Sequence, residues 1–398
     1  MVELTSREHS YTGGSHARSD ARLRLAVVCD RDAALSRLTD IPRSWVHSAY
    51  QDPRLLSLWL AREETKPFLI EFPTPSGPVL LPLQTYDDCT ARYIGGRHAN
   101  GNFPIGSCEA IKALGIVDRR TLRLALHREP STPCSLVLER QLAEAGDLAN
   151  PFVDNRSARS PNVALSLSIA DGFDAVLAER NAKRMRKKAR SSQRKLEEIG
   201  SVALVVADGP EQSILLLDRF FDLKSRRFQE LGIFDVFADA STRQVFRSLF
   251  ANKNQNTDGA YHTIHALCVN EKPIAVIGCT EFGTRVTVEF GAFDNEFAFA
   301  SPGDLLFFRT IENYCAQGFE IFDFGIGDEV YKRRWCDIET WQADTFVAAN
   351  FRGQLIAMAN DIRTHTVRAL KSNPTLWATA KKLRKSLSGS SRSHPKAG

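Results

Sequence analysis

The stretch 300–335 constrains the fold more than any other part of the sequence, because it specifies a helix, a strand and a turn in immediate succession. It reads ASPGDLLFFRTIENYCAQGFEIFDFGIGDEVYKRRW. Pro302 and Gly303 open an amphipathic helix, a short apolar strand follows at 321–324, and a glycine-rich turn leads into a basic, aromatic segment. A helix start beside a strand end presents backbone N–H groups and the positive end of the helix dipole. The stretch is therefore the first candidate for an anion-binding site.

Length and composition indicate a globular protein. The chain has 398 residues, of which 43% are hydrophobic and 25% charged, so it is long enough for two domains. It contains no apolar run of the roughly 18 to 20 residues that cross a bilayer, and residues 1–20 are polar. We expect a cytoplasmic protein with a disordered N-terminus at 1–20. The eight cysteines form no CxxC pair and have no nearby histidine at metal-ligand spacing, so we expect reduced thiols and no metal site.

The order of predicted elements divides the chain into two halves at the polar break 150–161. We expect domains at 21–160 and 161–350, then a helical and basic tail at 351–398. The first half contains a predicted β-meander, followed by a glycine-rich segment at 95–106 that reads as either a connection or a binding loop. The second half contains three β-rich runs at 262–269, 274–280 and 285–293, then the helix 303–317 and the strand 321–324. This β-β-β-α-β order predicts an α+β fold, a mixed α/β sheet with a crossover helix.

A basic helix precedes the second sheet. Nine lysines and arginines and no acidic residue lie between Arg180 and Lys195. Apolar and small residues recur along one narrow stripe from Met185 to Ile199, and Asp171 is predicted to cap the helix. A solvated face is the ordinary meaning of such a run. The alternatives are contact with tRNA or another polyanion, with an anionic membrane surface or with an acidic substrate. The residues predicted to make the polyanion contact are Arg184, Lys187 and Lys188.

The phrases Ser301-Pro302-Gly303, 322–325 and 327–335, with the basic helix ahead of them, resemble the GNAT acyltransferase superfamily. Within it they are similar to the acetyltransferases grouped with cellulose biosynthesis (CelD/BcsL-like). The resemblance covers roughly residues 160 to 350. The first half resembles a degenerate partner copy, as also found in the aminoacyl transferases that build peptidoglycan cross-bridges. The resemblance therefore implies a tandem GNAT-like acyl-CoA N-acyltransferase fold whose C-terminal copy is the better preserved.

The resemblance also implies roles for individual residues. Strand 285–293 would lie along the pantetheine arm of acyl-CoA, and the start of the next helix would face its pyrophosphate. Tyr331 falls where many GNAT enzymes keep a tyrosine that protonates the departing thiolate. Glu296 and Asp304 depart from the family, because they place negative charge where a diphosphate would sit. The residues implied for acyl-CoA binding are Phe290, Gly291, Ala292, Ser301 and Gly303.

Four other residues are candidates from their chemistry and position. Glu289 lies on the strand 285–293 and is either a general base toward an amine or a solvent-facing residue. Asp323 alternates with two phenylalanines, so it is either catalytic or a turn-capping carboxylate. Lys332, Arg333 and Arg334 could hold a phosphate or a carboxylated sugar of the substrate, but three consecutive basic residues on a helix cannot all face one ligand, so at least one is expected to be solvated surface. Lys332 and Arg333 are the two predicted to bind the substrate.

The first functional hypothesis is an acyltransferase that moves an acyl group from acyl-CoA, as a co-substrate rather than a tightly bound cofactor. The acceptor would be an amine or hydroxyl of a sugar or of an envelope or exopolysaccharide precursor, attacking directly in a ternary complex. The second hypothesis is an aminoacyl-tRNA-dependent transferase of the peptidoglycan cross-bridge type. The third is a non-catalytic GNAT-fold module of a polysaccharide-synthesis system. An envelope substrate or the basic helix would place the protein at the periphery of the inner membrane.

Overall fold

A mixed sheet of 13 strands runs through the part of the chain that the structure describes. The structure is a computed structural model, and it describes residues 23–87, 89–127, 132–251, 259–373, 375–377 and 379. The predicted disordered segment 1–20 and the end of the basic tail lie outside these residues. No helix within these residues is both long enough and apolar enough to pass through a bilayer.

The N-terminal half forms an antiparallel meander followed by two helices and a returning strand. Pro53 occupies the first turn of α2, and the Asp52 side chain caps the helix. α1 was not predicted; the Asp30 side chain caps it by accepting a hydrogen bond from the Ala33 N–H. The elements are β1 (Ala26–Val28), α1 (Arg31–Thr39), α2 (Pro53–Leu60), β2 (Lys66–Thr74), β3 (Gly77–Asp87), β4 (Thr90–Tyr93), β5 (Ile105–Gly106), α3 (Cys108–Leu114), α4 (Arg119–Leu126) and β6 (Ser135–Gln141).

The C-terminal half repeats this order with longer elements. A short hairpin, β7 (Glu144–Ala145) with β8 (Leu148–Ala149), leads into it. The predicted crossover helix is confirmed, because α9 connects β13 to the parallel strand β14. The elements are β9 (Ala158–Ser168), α5 (Phe173–Ala178), α6 (Ala182–Glu197), β10 (Val202–Val206), α7 (Pro210–Leu231), α8 (Ala240–Ala251), β11 (Tyr261–Val269), β12 (Lys272–Phe282), β13 (Arg285–Phe293), α9 (Pro302–Ala316), β14 (Ile321–Ile326), α10 (Val330–Arg333), β15 (Ile338–Ala348) and α11 (Phe351–Ser372).

The two halves exchange strands at the centre of the sheet. The strand order is β1-β2-β3-β4-β6-β15-β9-β14-β13-β12-β11-β10. In each half the last strand of the meander pairs in parallel with the strand after the crossover, β4 with β6 and β13 with β14. β9 follows the first copy but pairs with β14 of the second, whereas β15 follows the second copy and pairs with β6 of the first. The domain boundary predicted near residue 160 falls within β9.

The halves also share an apolar core. Trp59 of α2 packs edge-on against Phe246 of α8, with ring centroids 6.3 Å apart. His98, from the glycine-rich segment 95–106, stacks on Trp59 at 5.5 Å and meets Phe246 at 5.3 Å. Pairs of this kind contribute about 0.5–1.5 kcal/mol each beyond the area they bury. The glycine-rich segment therefore packs between the halves, and its Asn100 reaches the cleft described below.

The basic helix begins differently from the prediction. Asp171 does not cap it, because α5 intervenes with Gly172 as its N-cap residue at φ +85°. Asn181 then begins α6 in the left-handed region at φ +55°, and its side chain accepts a hydrogen bond from the Arg184 N–H. The predicted inner stripe is confirmed at the buried Ala189, Ser192 and Leu196, but Ile199 lies beyond the helix and is exposed.

Candidate active site

A V-shaped gap opens between β13 and β14. The two strands pair only from Arg285 to Thr287 against residues 321–323. Gly325 then turns β14 away at φ +68°, and Ile326 pairs with Ala164 of β9 instead. The edge of β13 after Thr287 consequently has no strand beside it on this side within the described residues. Its backbone N–H and C=O groups are available to an extended ligand that carries amides, in the manner of an added strand.

A β-bulge places Glu289 in this gap. Gly278 of β12 pairs with Phe290 while Cys279 pairs with Val288, so Glu289 is the extra residue between them. Such a bulge redirects a side chain out of the regular alternation. The Phe290 ring lies over Gly278, where a Cβ atom would be 2.1 Å from its Cζ, and it packs on Phe220 at 4.2 Å between centroids. The bulge is therefore fixed by packing on both sides.

The gap widens into a cavity of about 610 Å³, which is a usual size for a small-molecule site. Eight of the ten residues predicted for catalysis, acyl-CoA binding and substrate binding line this cavity. These eight are Glu289, Phe290, Gly291, Ala292, Ser301, Gly303, Tyr331 and Lys332. Asp323 and Arg333 are not part of the lining. Residues that the sequence analysis did not select also line it, among them Tyr50, Asn100, Lys224, Arg227 and Arg334.

The Glu289 carboxyl group has a pKa raised to about 7. Burial is the main cause, because it disfavours the charged form, and the negative charge of Asp323 adds to it. Hydrogen bonds to the carboxylate from Thr280 and Tyr50 oppose the shift. A group with this pKa is divided between its acid and base forms near neutral pH, which is the range in which a general base works best.

Tyr50 reaches the cavity from the N-terminal half. It lies in a single turn at 49–51, directly before α2. Its neighbour Gln51 is buried and donates to the Asn102 Oδ1 at 2.6 Å, which ties this turn to the glycine-rich segment. Burial and the nearby charge of Glu289 raise the Tyr50 pKa well above its ordinary value, so the hydroxyl remains protonated and donates to Glu289.

Tyr331 lies on the opposite wall, at the start of α10. Its ring stacks on Phe307 at 5.5 Å with an interplanar angle of 15° and meets the edge of Phe324 at 6.1 Å. Burial raises its pKa above the ordinary phenol value, so it is neutral and able to donate a proton. The two aromatic contacts restrict the ring to one orientation along the cavity wall.

Lys332 and Arg333 point in different directions. Lys332 is buried, and its ammonium group donates to the Ile326 carbonyl at 2.8 Å and pairs with Glu329 at 3.1 Å. Arg333 pairs with Asp328 and Glu339 outside the cavity lining. The arginine that reaches the cavity is its neighbour Arg334. We therefore assign Arg333 no role in the candidate site.

Asp323 uses both of its oxygens within the fold. One accepts from Arg285 at 2.9 Å, and the other accepts from the Gly325 N–H at 2.7 Å. It therefore caps the turn that opens the gap, which was the alternative to a catalytic role. Its effect on the site is electrostatic, through the pKa of Glu289.

The start of α9 carries cations beside its acidic residue. Asp304 pairs with Lys188 from α6 and with Arg334 at 3.1 Å. Glu296 is 74% exposed at its side chain, lies near Lys272 at 3.8 Å and is not part of the cavity lining. The expectation that these two acids make the loop repel a diphosphate is therefore not met at Asp304, where two positive groups offset one negative group.

Lys224 of α7 closes the cavity on the other side of β13. Its ammonium group donates to the Gly291 carbonyl at 3.0 Å. Burial lowers the pKa of Lys224. The Gly291 carbonyl, which lies in the β13 segment predicted to bind pantetheine, therefore already accepts a hydrogen bond from Lys224.

Some basic residues between Arg180 and Lys195 form ion pairs within the fold, whereas others are exposed and unpaired within the described residues. Arg180 is buried and pairs with Asp337 at 2.9 Å, Arg186 pairs with Asp174, and Lys188 pairs with Asp304. Lys195 donates to the Phe299 carbonyl at 3.0 Å. Within the described residues, the other five have neither an ion pair nor a side-chain hydrogen bond and are exposed. These five are Lys183, Arg184, Lys187, Arg190 and Arg194. Lys183, Lys187, Arg190 and Arg194 recur at spacings of 4, 3 and 4 residues and therefore form one face of α6.

The described residues contain no group of three or more His, Cys, Asp or Glu side chains placed to hold a metal ion. All eight cysteines are unbonded to one another. What the cavity offers chemically is a carboxyl of pKa about 7, a neutral phenol and a set of cations at the mouth. This combination suits transfer of a group between an acceptor with an exchangeable proton and an anionic donor.

Comparison with known proteins relates part of the chain to a described domain family. Residues 183–333 match the family model for an acetyltransferase (GNAT) domain. Among solved structures, the chain is similar to the C-terminal domain of a protein named as a lysylphosphatidylglycerol synthetase from Agrobacterium fabrum. The identity is 14% and the TM-score 0.51, over 85% of this chain and 97% of that one. Similarity extends to FemX at 11% identity, over 82% of this chain and 93% of that one with a TM-score of 0.45. A tandem GNAT protein from the clavulanic acid biosynthesis pathway is 13% identical, over 82% of this chain and 99% of that one, with a TM-score of 0.41.

No curated protein matches the chain. The predicted mixed α/β fold class is confirmed, and residues 183–333 of the C-terminal copy match the model of a GNAT acetyltransferase domain. These comparisons do not support the narrower assignment to a cellulose-biosynthesis family.

Proposed function

We propose that this chain, with its GNAT domain at 183–333, is an acyltransferase that moves an acyl group from the thioester of acyl-CoA to an amine or hydroxyl. The observation that carries the proposal is the position of Glu289. It stands on a bulge where β13 leaves β14, inside a 610 Å³ cavity, with a pKa of about 7. A carboxyl group of this pKa that lines a cavity can take up or release a proton near neutral pH, as general acid–base catalysis requires.

The proposed reaction needs two proton transfers and no covalent enzyme intermediate. The acceptor amine attacks the thioester carbonyl, and a C–N bond forms as the C–S bond breaks. Glu289 accepts the proton that the nitrogen loses, and Tyr331 donates a proton to the sulfur, which leaves as CoA thiol. For a hydroxyl acceptor the same steps form an ester. Solvent then returns the proton from Glu289 to Tyr331, so the atoms and charges balance over one turnover.

The donor would lie along the unpaired edge of β13. The amides of a pantetheine arm match the free backbone groups of this edge, apart from the Gly291 carbonyl that Lys224 occupies. The diphosphate would then reach the start of α9, where Lys188 and Arg334 flank Asp304. Because Asp304 orients these cations but neutralises only part of their charge, anion binding depends on Arg334 and Lys188 more than on the helix dipole.

The acceptor would enter from the side of Tyr50 and Asn100, which belong to the N-terminal half. The N-terminal copy would then serve as the acceptor wall of the site rather than as a second catalytic copy. An amine or hydroxyl on a sugar or an envelope precursor remains our proposal for the acceptor, and it rests on the sequence resemblance to cellulose-biosynthesis acetyltransferases.

A second candidate is favoured by the free basic face of α6. Lys188 of this helix contacts Asp304 at the cavity mouth, so the helix runs beside the donor entrance. Four exposed cations in one stripe exceed what a single CoA needs, and they match the spaced phosphates of a nucleic acid. The similar Agrobacterium fabrum protein is named as a lysylphosphatidylglycerol synthetase. The second candidate is therefore transfer of an aminoacyl group from aminoacyl-tRNA.

Two neighbouring arginines provide the test. Arg334 lines the cavity, and Arg333 is held outside it by Asp328 and Glu339. We expect acetyl-CoA to bind the wild-type protein saturably in calorimetry, Arg334→Gln to weaken binding by about tenfold or more, and Arg333→Gln to change it by less than about twofold. Equal effects of the two substitutions would contradict the proposed donor position.

The same titration distinguishes the other hypotheses. Tight, steeply salt-dependent binding of aminoacyl-tRNA without acyl-CoA binding would overturn the acyl-CoA proposal and support the second candidate. In that case Lys187→Gln combined with Arg190→Gln should reduce the salt slope by about two. Binding of neither donor would leave the non-catalytic module as the better reading.

A further inference from the structure

The helix α11 presents its large apolar side chains to solvent. Phe351 is 76% exposed, Leu355 56%, Met358 54% and Ile362 62%. They recur at spacings of 4, 3 and 4 residues, so they form one continuous stripe along the first half of the helix. Leaving such large apolar side chains in water is unfavourable relative to burying them. A contiguous stripe of this kind marks a surface that something else covers.

The opposite face of α11 holds the helix on the sheet with small and polar groups. Gly353 is buried so closely that a Cβ atom would be 1.7 Å from the Cys134 carbonyl oxygen. Thr364 is buried and donates to Asp344 at 3.4 Å, and Arg363 pairs with Glu139 at 2.6 Å. Attachment to the sheet therefore fixes which face points outward, and the apolar stripe cannot turn inward without losing the Gly353 contact.

The charge of the chain is concentrated in the same segment. Residues 351–398 contain ten of the 52 lysines and arginines but one of the 47 acidic residues, a net charge of +9. The preceding 350 residues carry 42 basic and 46 acidic residues, a net charge of −4, although the whole chain is at +5. The excess positive charge of the protein thus belongs entirely to the segment that carries the exposed stripe.

We propose that α11 docks on an anionic lipid surface. Phe351, Leu355, Met358 and Ile362 insert at the boundary between headgroups and acyl chains, and the basic residues of the segment contact the lipid phosphates. The combination of charges and apolar side chains selects this occupant. A second copy of the chain would bring two segments of the same strong positive charge together, which Coulomb repulsion opposes. A nucleic acid would satisfy the charges but offers no partner for four large apolar side chains in a row. This inference does not depend on the acyl-transfer proposal.

The experiment measures binding of the full chain to lipid vesicles by co-sedimentation. Vesicles with about one-third phosphatidylglycerol are compared with pure phosphatidylcholine vesicles. We expect binding to the anionic vesicles and weak or no binding to the neutral ones. The variant Leu355→Gln with Met358→Gln should lower the partition constant at least about tenfold, because two inserted side chains are lost.

The matched control is Ile116→Gln with Leu124→Gln, two apolar residues that are 55% and 51% exposed on the N-terminal half. It should bind vesicles within about twofold of the wild-type protein, since it removes exposed apolar surface elsewhere. Thermal unfolding of each variant confirms that the fold is retained. Because all four positions are exposed, little change in melting temperature is expected.

Three results would overturn the proposal. One is unchanged vesicle binding in the Leu355→Gln/Met358→Gln variant. Another is absence of wild-type binding to anionic vesicles. The third is a concentration-dependent dimer, seen by analytical ultracentrifugation, that the same variant dissociates, which would make a second copy the occupant of the stripe.

Discussion

Tyr50, in the N-terminal half of the chain, donates a hydrogen bond to the Glu289 carboxylate in the C-terminal half. A residue of the N-terminal half thus changes the pKa of the proposed general base in the C-terminal half. Asp323 acts on the same carboxyl in the opposite direction, because its negative charge raises the Glu289 pKa whereas the Tyr50 hydrogen bond lowers it. The two neighbours therefore have effects of opposite sign on the pH dependence of the site.

The first prediction concerns the opposite effects of Tyr50 and Asp323 on the Glu289 pKa. Tyr50→Phe removes a donor to the ionised form and should move the acidic limb of kcat/KM to higher pH, by about 0.5 to 1 unit. Asp323→Asn removes a like charge and should move the limb to lower pH. The pH profile of acyl transfer measures both, and a carboxyl NMR titration of Glu289 measures them without a substrate. Tyr86→Phe, at an exposed tyrosine outside the cavity, serves as the control. Shifts in the same direction for both variants would show that Glu289 does not govern the profile.

The second prediction concerns the stability cost of Glu289. Its pKa rises from 4.5 in the unfolded chain to about 7 in the folded protein. The folded state therefore holds the proton more tightly, and the stability linked to this group is lost as pH rises from 4.5 through 7. Glu289→Gln cannot ionise, so it should be more stable than the wild-type protein by about 1–3 kcal/mol at pH 8 and little different near pH 4.5. Urea unfolding at the two pH values measures the difference. A variant destabilised equally at both would mean that Glu289 contributes through packing rather than charge.

The third prediction separates catalysis from binding at Tyr331. Tyr331→Phe keeps the stacking on Phe307 and removes the proton donor. We expect kcat to fall about 10- to 100-fold while the dissociation constant of acyl-CoA stays within about threefold. Single-turnover kinetics and calorimetry measure the two quantities. Loss of binding with unchanged kcat would instead assign the hydroxyl to positioning of the donor.

The fourth prediction follows from three buried histidines outside the catalytic proposal. Burial lowers the pKa values of His98, His262 and His265 from 6.5 to about 4. Groups with depressed pKa values contribute stability that is present above pH 6.5 and is lost as pH falls toward 4. Glu289 and Asp344, with pKa values raised to about 7 and about 6, oppose this over part of the range. Burial also raises the pKa of Glu281, so the contribution of one histidine is isolated by substituting that histidine alone.

His265→Asn tests this account, because it replaces the titrating imidazole, whose Nε2 atom lies 2.9 Å from the Tyr314 hydroxyl, with an amide that does not titrate. The free energy of unfolding should then fall less steeply between pH 6 and pH 5, by about 1.4 kcal/mol per pH unit. His365→Asn, at an exposed histidine of α11, should leave the slope unchanged. Equal slopes for His265→Asn and the wild-type protein would show that this histidine titrates normally.

The second half of the fold was predicted from the sequence because each of its elements is specified by residues that are close together in the chain. The meander at 262–293, the helix after Pro302 and the strand after it each lie within a short window with clear periodicity and turn residues. The cavity wall formed by β13, the start of α9 and Tyr331 follows from these elements, so eight predicted residues are found together. Arg333 and Arg334 were not separable in advance, since α10 is only four residues long and offers no helical period to place them.

The rest of the site depends on contacts between distant segments. Tyr50 and Asn100 carry no motif, and they reach the cavity only after the N-terminal half packs against the C-terminal half. Lys224 carries no motif either, and it reaches the cavity from α7, which is distant in sequence from β13. The bulge at Glu289 depends on Gly278 in the neighbouring strand, because only glycine leaves room there for the Phe290 ring. No pattern within one strand encodes its partner, so the pairing of β9 with β14 and of β15 with β6 was not predicted either.

That last pairing has a consequence for biosynthesis. β6 ends at Gln141, and its partner β15 extends to Ala348. At about 5–20 residues per second, the ribosome needs roughly 10–40 s to supply the partner after β6 has emerged. During this interval the nascent chain exposes an unpaired edge of β6, which includes the apolar run 136–138 and is a template for aggregation. A chain that stops before β15 keeps that edge open permanently. Premature termination between residues 141 and 338 should therefore yield insoluble protein rather than a functional N-terminal fragment.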